Sequence, residues 1–372
     1  MSAKKNVLIF TQCDMLNYGN RLQNIGLSFY LSNNFEVNIS NCFPSDIVRR
    51  RSKLFYPFKK ILFQFKLFFT KPFGKWLNKY LLFKKNTKMF RVERALLLPG
   101  NSLKRLSSRY DCFLLGSDQV VNSDFGLPDK IVSFYEAKNI LKITYAISSG
   151  NDSLNDKNYP LFIKLFPYFD GRSVREMSII QKHNDISVEK HIDPSFLLTK
   201  EEWVSLSEKN ATKKIKKYKD KKYVLVYWLG DETLLDRELI KDFAESKNLE
   251  IIYLRTNSFQ NYKTIIDASP FDFVYLISHS QFVISKSFHG CALSIIFNKP
   301  FFGIDKYSDQ RITDERYLSL IQTLKIPELC FSGISRETPD FSWNEINECI
   351  NQERRKAQEY FCNFFRKKEK ND

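Results

Sequence analysis

The sequence lacks the long apolar runs that insert a chain into a membrane or direct it out of the cell. A membrane-spanning helix needs about 20 consecutive apolar residues, but the most apolar stretch, 61–70, has ten residues and contains Lys66. Lys4 and Lys5 precede only a short apolar run, 7–10, which is too short for the core of a secretory signal. We therefore expect a cytoplasmic protein.

The sequence also lacks the short motifs that bind metals, dinucleotides or nucleotide phosphates. Its seven cysteines are an odd number without a CxxC pair, and no HExxH motif is present, so we expect neither a disulfide framework nor a required metal. G-x-G-x-x-G and G-x-x-x-x-G-K-[ST] loops are missing as well. We expect no resident cofactor, and most cysteines should be small buried hydrophobic groups.

Strand and helix patterns alternate along the chain in two blocks. The predicted strands of the first block cover 7–10, 35–40, 111–115 and 143–147. Those of the second block cover 223–229, 250–254, 282–285 and 301–304, with helices at 231–246 and 287–298. This alternation predicts an α/β fold of two Rossmann-like domains that face each other across a cleft, with the site at the carboxyl ends of the strands.

A break at Asp193-Pro194 separates the two blocks. We predict an N-terminal Rossmann-like domain at 1–195 and a C-terminal one at 196–342, and we interpret the Lys-rich stretch 208–222 as a polar linker. Residues 343–372 contain a helix with an apolar face, which we expect to pack back on the first domain.

Two polar loops beside predicted strands of the first domain are candidate sites. Asn17, Gly19 and Asn20 open a helix, where polar groups can bind an anion or a hydroxyl, although an ordinary Asn cap explains them equally well. Ser117 and Asp118 follow a strand, and capping of a helix is the commoner role for such residues. Asp118 could also orient a hydroxyl or a histidine, or deliver a proton.

Two further candidates follow strand ends. The Arg175 guanidinium could hold a carboxylate or phosphate by two parallel bonds, but a salt bridge with Glu176 or another surface acid is the commoner arrangement. His289 lies beside Ser287 and Phe288 in the first turn of a predicted helix. The helix dipole disfavours a charged imidazolium there, so the pattern favours a neutral His289 that can accept a proton.

These segments, in this order along the chain, resemble the polysaccharide pyruvyl transferase family. The matching segments are 17–24, 113–119, 145–148, 173–176, 193–198 with Trp203, and 287–290 with 297–301. The chain departs from the family at Val120-Val121, where Trp is frequent, and at Lys286, where an acid is frequent. The arginine segment expected after the last strand is matched loosely, by Arg311 or Arg316.

The resemblance implies a glycosyltransferase-B-like fold and a transferase that moves pyruvate from phosphoenolpyruvate onto sugar hydroxyls. The product would be a ketal in a cell-surface polysaccharide such as a capsule or exopolysaccharide. It implies that Arg175, Ser287 and Phe288 bind phosphoenolpyruvate, a co-substrate, and that His289 is catalytic, with Asp118 the next candidate. The remaining acceptor or loop candidates are Asn17, Gly19, Asn20 and Ser117. Two alternatives stay open: a nucleotide-sugar glycosyltransferase of the same architecture, and a non-catalytic, membrane-attached scaffold for polysaccharide assembly.

Residues 49–94 form a basic, aromatic stretch that we predict to be a helical insertion in the first domain. It contains fifteen Lys and Arg against one acid, and so carries +14 of the formal net charge of +16. Such a composition suits an anionic membrane surface, and a lipid-linked acceptor would place the protein at the inner face of the cytoplasmic membrane. A hairpin whose aromatic residues cover the first domain is the alternative. Nucleic-acid binding is not expected, because no recognised binding motif accompanies the basic residues.

Overall fold

The computed structural model describes residues 3–12, 16–42, 73–93, 106–121, 134, 137–150, 159–180, 185–230, 232–255, 262–305 and 314–368. The contacts within the chain divide it into two units. Unit 1 takes the described residues within 1–69, 87–197 and 353–372, and unit 2 takes those within 70–86 and 198–352. Most of the predicted basic insertion, 49–72 and Arg94, lies outside the described residues.

The described helices and strands follow a mostly alternating order. The helices are α1 (Tyr18–Asn34), α2 (Phe73–Thr87), α3 (Tyr159–Leu165), α4 (Lys200–Asn210), α5 (Lys213–Lys216), α6 (Leu234–Ser246), α7 (Pro270–His279), α8 (Phe288–Ile296), α9 (Glu315–Leu324) and α10 (Trp343–Cys362). The strands are β1 (Lys5–Phe10), β2 (Val37–Cys42), β3 (Cys112–Leu115), β4 (Leu141–Thr144), β5 (Ser173–Val174), β6 (Glu189–Lys190), β7 (Tyr223–Tyr227), β8 (Glu250–Leu254), β9 (Lys263–Ile265), β10 (Phe282–Ser285) and β11 (Phe301–Gly303).

Unit 1 is built on a parallel sheet. Its four main strands lie in the order β2-β1-β3-β4, and each neighbouring pair is parallel. Parallel bridges from Ile143 to Gly171 and from Ile147 to Val174 connect β4 to the short pair β5 and β6. Strand β3 is buried along its whole length, which explains its unbroken apolar sequence.

Helices α1 and α10 cover the same sheet. The second part of α10, from Glu353 onward, belongs to unit 1, where the Tyr360 hydroxyl donates to Thr144 O at 2.6 Å. The Phe361 ring packs 4.8 Å from Tyr145 and 5.9 Å from Phe35. Aromatic packing of this kind explains the apolar face in the C-terminal sequence.

Unit 2 is a second parallel α/β layer. Its five strands lie in the order β11-β10-β7-β8-β9, and every neighbouring pair is parallel. Three of its helices begin with a capping box. In this motif the N-cap hydroxyl accepts a hydrogen bond from the backbone N–H three residues later, and the carboxylate of that later residue accepts one from the N-cap N–H. The three N-caps are Thr199, Thr233 and Ser269. Parallel sheets with crossover helices in both units confirm the predicted pair of Rossmann-like folds.

The structure differs from the sequence analysis at two basic segments. The Lys-rich stretch 208–222 is not a linker, because α5 lies in it and its Ile215 and Tyr218 side chains are buried in unit 2. Helix α2, from the predicted insertion in the first domain, belongs to unit 2 as far as residue 86. There Asn78 Nδ2 donates to Asp267 Oδ2 at 2.6 Å.

Cysteine burial agrees with the prediction. Of the six cysteines that the structure describes, five are buried and Cys362 is exposed, and all six are free thiols. Burial raises the pKa of the Cys112 and Cys291 thiols far above the usual range, so these groups stay protonated. No helix within the described part of the chain has the length and apolar character needed to span a bilayer.

Candidate functional site

Polar side chains follow the strands of unit 1 at the carboxyl edge of its sheet. Ser117 and Asp118 come after β3, Arg175 directly follows β5, and Asp193 follows β6. Parallel strands end at one edge, which brings these residues together with Asn20 from the first turn of α1. All five side chains are buried. We call these five residues the Arg175 cluster.

Arg175 is the centre of this cluster. Its Nη2 donates to Ser117 Oγ at 2.8 Å and pairs with Asp193 Oδ2, while Nη1 lies 3.7 Å from Asp118 Oδ1. Arg175 is 2% exposed and Asp193 is 1% exposed, so each charge depends on the other for solvation. The alternative reading of Arg175 named Glu176 or a surface acid, whereas the acid that pairs with it is the buried Asp193, which the sequence did not indicate.

Asp118 sits in a turn whose backbone is strained. Its φ is 66°, and that of Ala146, which follows β4, is 44°. Both values lie in the left-handed region that few residues other than glycine adopt. Gly116 has φ 132°, and a Cβ there would lie 2.3 Å from Tyr145 O. Asn20 Nδ2 donates to Asp118 Oδ2 and helps to hold the turn. Strain of this kind is concentrated at functional sites.

A buried hydrogen-bonded chain fixes Ser117. Gln23 Nε2 donates to Thr11 Oγ1 at 2.6 Å, and Thr11 Oγ1 donates to Ser117 O at 3.1 Å. The Ser117 hydroxyl in turn donates to Ala146 O at 2.6 Å while it accepts from Arg175. Gln23 and Thr11 were not among the predicted site residues, because only the fold brings α1 and the ends of β1 and β3 together.

The residues at the start of α1 have different roles. Asn17 is the N-cap of α1, and its side-chain oxygen accepts from Asn20 N at 3.3 Å, so the alternative of an ordinary cap describes it. Gly19 is buried in the first turn of the helix. Asn20, also in the first turn, is the residue of this segment that joins the Arg175 cluster.

In unit 2, the predicted histidine segment lies where β10 ends and α8 begins. Ser287 is the N-cap of α8 with an extended backbone, and Phe288 and His289 form the first turn. Phe288 and His289 are 4% and 5% exposed, and their rings pack edge to face with centroids 5.1 Å apart. The first amides of a helix can bind an anion, so this turn is a candidate anion site in unit 2.

Gly290 explains how α8 comes so close to β10. A Cβ at this position would lie 2.1 Å from Ser285 Oγ, a separation that real Cβ atoms do not show. The Ser285 hydroxyl donates to Ser287 O and accepts from Ser287 N, both at 3.2 Å. The small residue after His289 therefore permits a serine-braced turn that fixes the start of α8.

Arg316 joins the histidine segment from α9. Its Nε and Nη2 donate to the two carboxylate oxygens of Asp314 at 2.9 and 2.5 Å, and its guanidinium lies 5.7 Å from the centre of the Phe288 ring. The sequence matched the expected arginine only loosely, to Arg311 or Arg316, and Arg311 lies outside the described residues. The structure brings Arg316 next to the Ser287–His289 turn.

Other charged groups also follow the strands of unit 2. Lys286 Nζ, after β10, lies 5.2 Å from the Trp228 ring, which follows β7. Arg255 Nη1, after β8, pairs with Glu232 Oε2 at 3.0 Å. Burial raises the pKa of the Glu232 carboxyl, and Arg255 and Arg237 oppose this shift. The carboxyl edge of unit 2 therefore presents more positive groups than the sequence motifs identified.

A second buried histidine supports unit 1. His191 Nδ1 and Ser173 Oγ are 2.9 Å apart, and its ring packs 4.8 Å from Tyr360. Burial lowers the pKa of His191 to about 4. The Glu189 carboxylate lies 3.7 Å from Nε2 but its side chain is 57% exposed, so water weakens its attraction for the charged ring. His191 is thus a neutral structural residue at ordinary pH.

Solved structures of other proteins share the fold of this chain. The UDP-GlcNAc 2-epimerase of Neisseria meningitidis, solved with UDP-GlcNAc, has 14% identity and a TM-score of 0.51, over 95% of this chain and 93% of that one. A Listeria monocytogenes protein assigned to the same enzyme has 11% identity and a TM-score of 0.50, over 96% and 90%. At this identity the likeness shows the fold, which is glycosyltransferase-B-like. No curated protein sequence matches.

The family comparison is more specific than the fold. The sequence profile described as polysaccharide pyruvyl transferase matches residues 17–306. This range contains every predicted site residue, from Asn17 to His289, and most of both units. The match confirms the resemblance on which the sequence analysis relied. The chain belongs to the polysaccharide pyruvyl transferase family.

Proposed function

We propose that this protein transfers the pyruvate group of phosphoenolpyruvate onto two hydroxyls of a sugar, forming a cyclic ketal and releasing phosphate. The observation that carries the proposal is the family match over residues 17–306. The local geometry supports it, because the family's motifs end at the carboxyl edges of the two parallel sheets, where α/β folds bind ligands.

The donor has two anionic ends that need different partners. We propose that the first-turn amides at Ser287 and Phe288, with the positive end of the α8 dipole, hold one of them. Arg175 holds the other. We assign the donor to the Nη1 edge of its guanidinium, which lies 3.7 Å from Asp118 Oδ1.

Ketal formation requires one proton on the methylene carbon and two new carbon–oxygen bonds at the central carbon. One sugar hydroxyl attacks that carbon as the methylene becomes a methyl group, and the second hydroxyl displaces phosphate. The proton of one hydroxyl corresponds to the third hydrogen of the new methyl group. The proton of the other hydroxyl leaves with the phosphate. We propose that His289 takes a proton from an attacking hydroxyl. Asp118, which already accepts from Asn20, accepts a hydrogen bond from the other hydroxyl.

The acceptor and its location are also proposals. We propose a sugar of a cell-surface polysaccharide, carried on a lipid at the inner face of the cytoplasmic membrane. Phosphoenolpyruvate serves as co-substrate, and no metal is assigned a role. In the described part of the chain, no group of three or more His, Cys, Asp or Glu side chains could hold a metal ion.

Phosphate release from phosphoenolpyruvate with pooled lipid-linked or aryl glycosides tests the reaction. His289→Ala should lower turnover by roughly 10²–10⁴-fold, the usual contribution of a general base. His279→Ala is the matched control, because His279 ends α7 of the same unit and bonds to Tyr275 O. If His289→Ala kept turnover within a few-fold of wild type, the assigned role would be wrong.

A thermal-shift comparison separates donor classes. Phosphoenolpyruvate should raise the melting temperature, because a ligand that binds only the folded state stabilises it. UDP-GlcNAc, which is bound in the Neisseria structure, should have no such effect. Stabilisation by the nucleotide sugar alone would support a glycosyltransferase instead. An unchanged melting temperature with both ligands would support the scaffold alternative.

A further inference from the structure

Helix α2 has one packed face and one exposed face. Lys79, Phe83 and Asn86 are buried, and the Lys79 ammonium lies 5.7 Å from the Phe83 ring centre. These positions follow the i, i+4, i+7 spacing of a single helix face. The helix belongs to unit 2 as far as residue 86, and among its described side chains only those of this face are buried.

The opposite face exposes apolar side chains. Leu77 is 38% exposed and Leu81 is 51% exposed, and with Lys84 they again follow the i, i+4, i+7 spacing, half a turn from Phe83. Met89, just after the helix, is 37% exposed. Three of the nine large apolar residues that are exposed in the described chain therefore lie between 77 and 89.

The charge around these residues has one sign. Residues 73–92 contain six Lys and Arg and no acid. Lys84, Lys85 and Lys88 are exposed beside the leucines. The negative end of the helix dipole would by itself explain Lys84 and Lys85. It does not explain two leucines in water on the same face, and apolar residues flanked by lysines are the pattern of interfacial helices.

We propose that this face, the Leu77–Lys88 stripe, lies on the surface of a bilayer that contains anionic phospholipid. The lysines contact the headgroups, while Leu77 and Leu81 enter the boundary with the acyl chains. The proposal does not rest on the transfer reaction, because it uses no residue of either candidate site. It restricts the membrane contact predicted for the basic stretch 49–94 to one exposed face of α2, which the structure describes.

The test is co-sedimentation of the full chain with vesicles of phosphatidylcholine, with and without phosphatidylglycerol. Each lysine near an anionic surface contributes about fivefold in affinity, so Lys84→Gln with Lys85→Gln should weaken binding about 25-fold. Leu77→Gln with Leu81→Gln should weaken it by a similar factor, because 38% of Leu77 and 51% of Leu81 are still exposed and available for burial. Exposed positions keep these variants folded, and far-UV circular dichroism verifies this.

Lys213→Gln with Lys219→Gln is the matched control. Both lysines are exposed in unit 2, and the pair removes the same charge from a surface without exposed leucines. The control should bind within about twofold of wild type, and raised salt should release the wild-type protein. Any of three results would overturn the proposal: no dependence on phosphatidylglycerol, an equal loss in the lysine control, or leucine variants that bind like wild type. Tighter binding to a single-stranded oligonucleotide than to the vesicles would also overturn it.

Discussion

Removal of the Asp193 carboxylate should destabilise unit 1 strongly, because Asp193 solvates a buried guanidinium. Arg175 is 2% exposed and Asp193 is 1% exposed. Breaking a buried ion pair from one side costs about 3–5 kcal/mol. Asp118, 3.7 Å from Nη1, still compensates part of the charge. We therefore expect Asp193→Ala to lower the free energy of unfolding by about 3 kcal/mol, at the lower end of this range.

Asp193 has a second role that a matched variant preserves. Its Oδ1 accepts from Ser195 N at 2.8 Å, a local turn contact that an amide oxygen can also make. Asp193→Asn should therefore cost less than Asp193→Ala, because it retains this bond and loses only the charge. The difference between the two variants measures the turn contact apart from the ion pair.

Urea unfolding followed by far-UV circular dichroism measures these free energies. Tryptophan fluorescence supplies an internal comparison, because all four tryptophans belong to unit 2. A double-mutant cycle then isolates the pair. Once Arg175→Met has removed the buried cation, Asp193→Ala should cost much less than it does alone. Additive costs for Arg175→Met and Asp193→Ala would refute the reasoning, since uncoupled residues cannot solvate one another.

Three further predictions concern packing and pH. Gly290→Ala should destabilise unit 2 by about 1–3 kcal/mol in urea unfolding, because its Cβ would overlap Ser285 Oγ, and Ser285→Ala should recover part of the loss. Trp203→Ala should cost about 3–5 kcal/mol by the same measurement, since this ring is fully buried, and Trp203→Phe should cost less. The pKa of His191 is about 4 in the folded protein against 6.5 when unfolded, so only the unfolded state takes up its proton in between. Stability should therefore fall by up to about 3 kcal/mol as pH decreases from 6.5 to 4. His191→Gln should flatten this pH dependence, and an unchanged slope would contradict it.

Local patterns were enough to locate many of the elements. The predicted strands 250–254 and 282–285 match β8 and β10 residue for residue, because short apolar runs in a doubly covered parallel sheet are buried on both faces. The predicted strand 143–147 instead begins at Leu141, where pairing with β3 starts. Pairing with a neighbour sets the ends of a strand, and the sequence does not contain that neighbour's register.

Some elements were missed because their patterns are ambiguous. Helix α7 is buried at every residue from Pro270 to Ile277, so it shows no amphipathic face, and only its Ser269 capping box marks its start. The stretch 208–222 reads as polar because lysines surround Tyr218, yet the ring itself is buried. Lysine stems cover such a ring while their charges stay in water, which composition alone cannot indicate.

The sequence by itself determined the family, the parallel α/β class and the loops that carry the candidate residues. Those properties follow from motif order and from the burial pattern of strands that are covered on both faces. Only the tertiary structure decided that Arg175 pairs with Asp193, that Arg316 lies against Phe288 and that Leu77 and Leu81 face outward. The physical reason is that such contacts join residues from different elements, and their distances are set by strand order and helix packing.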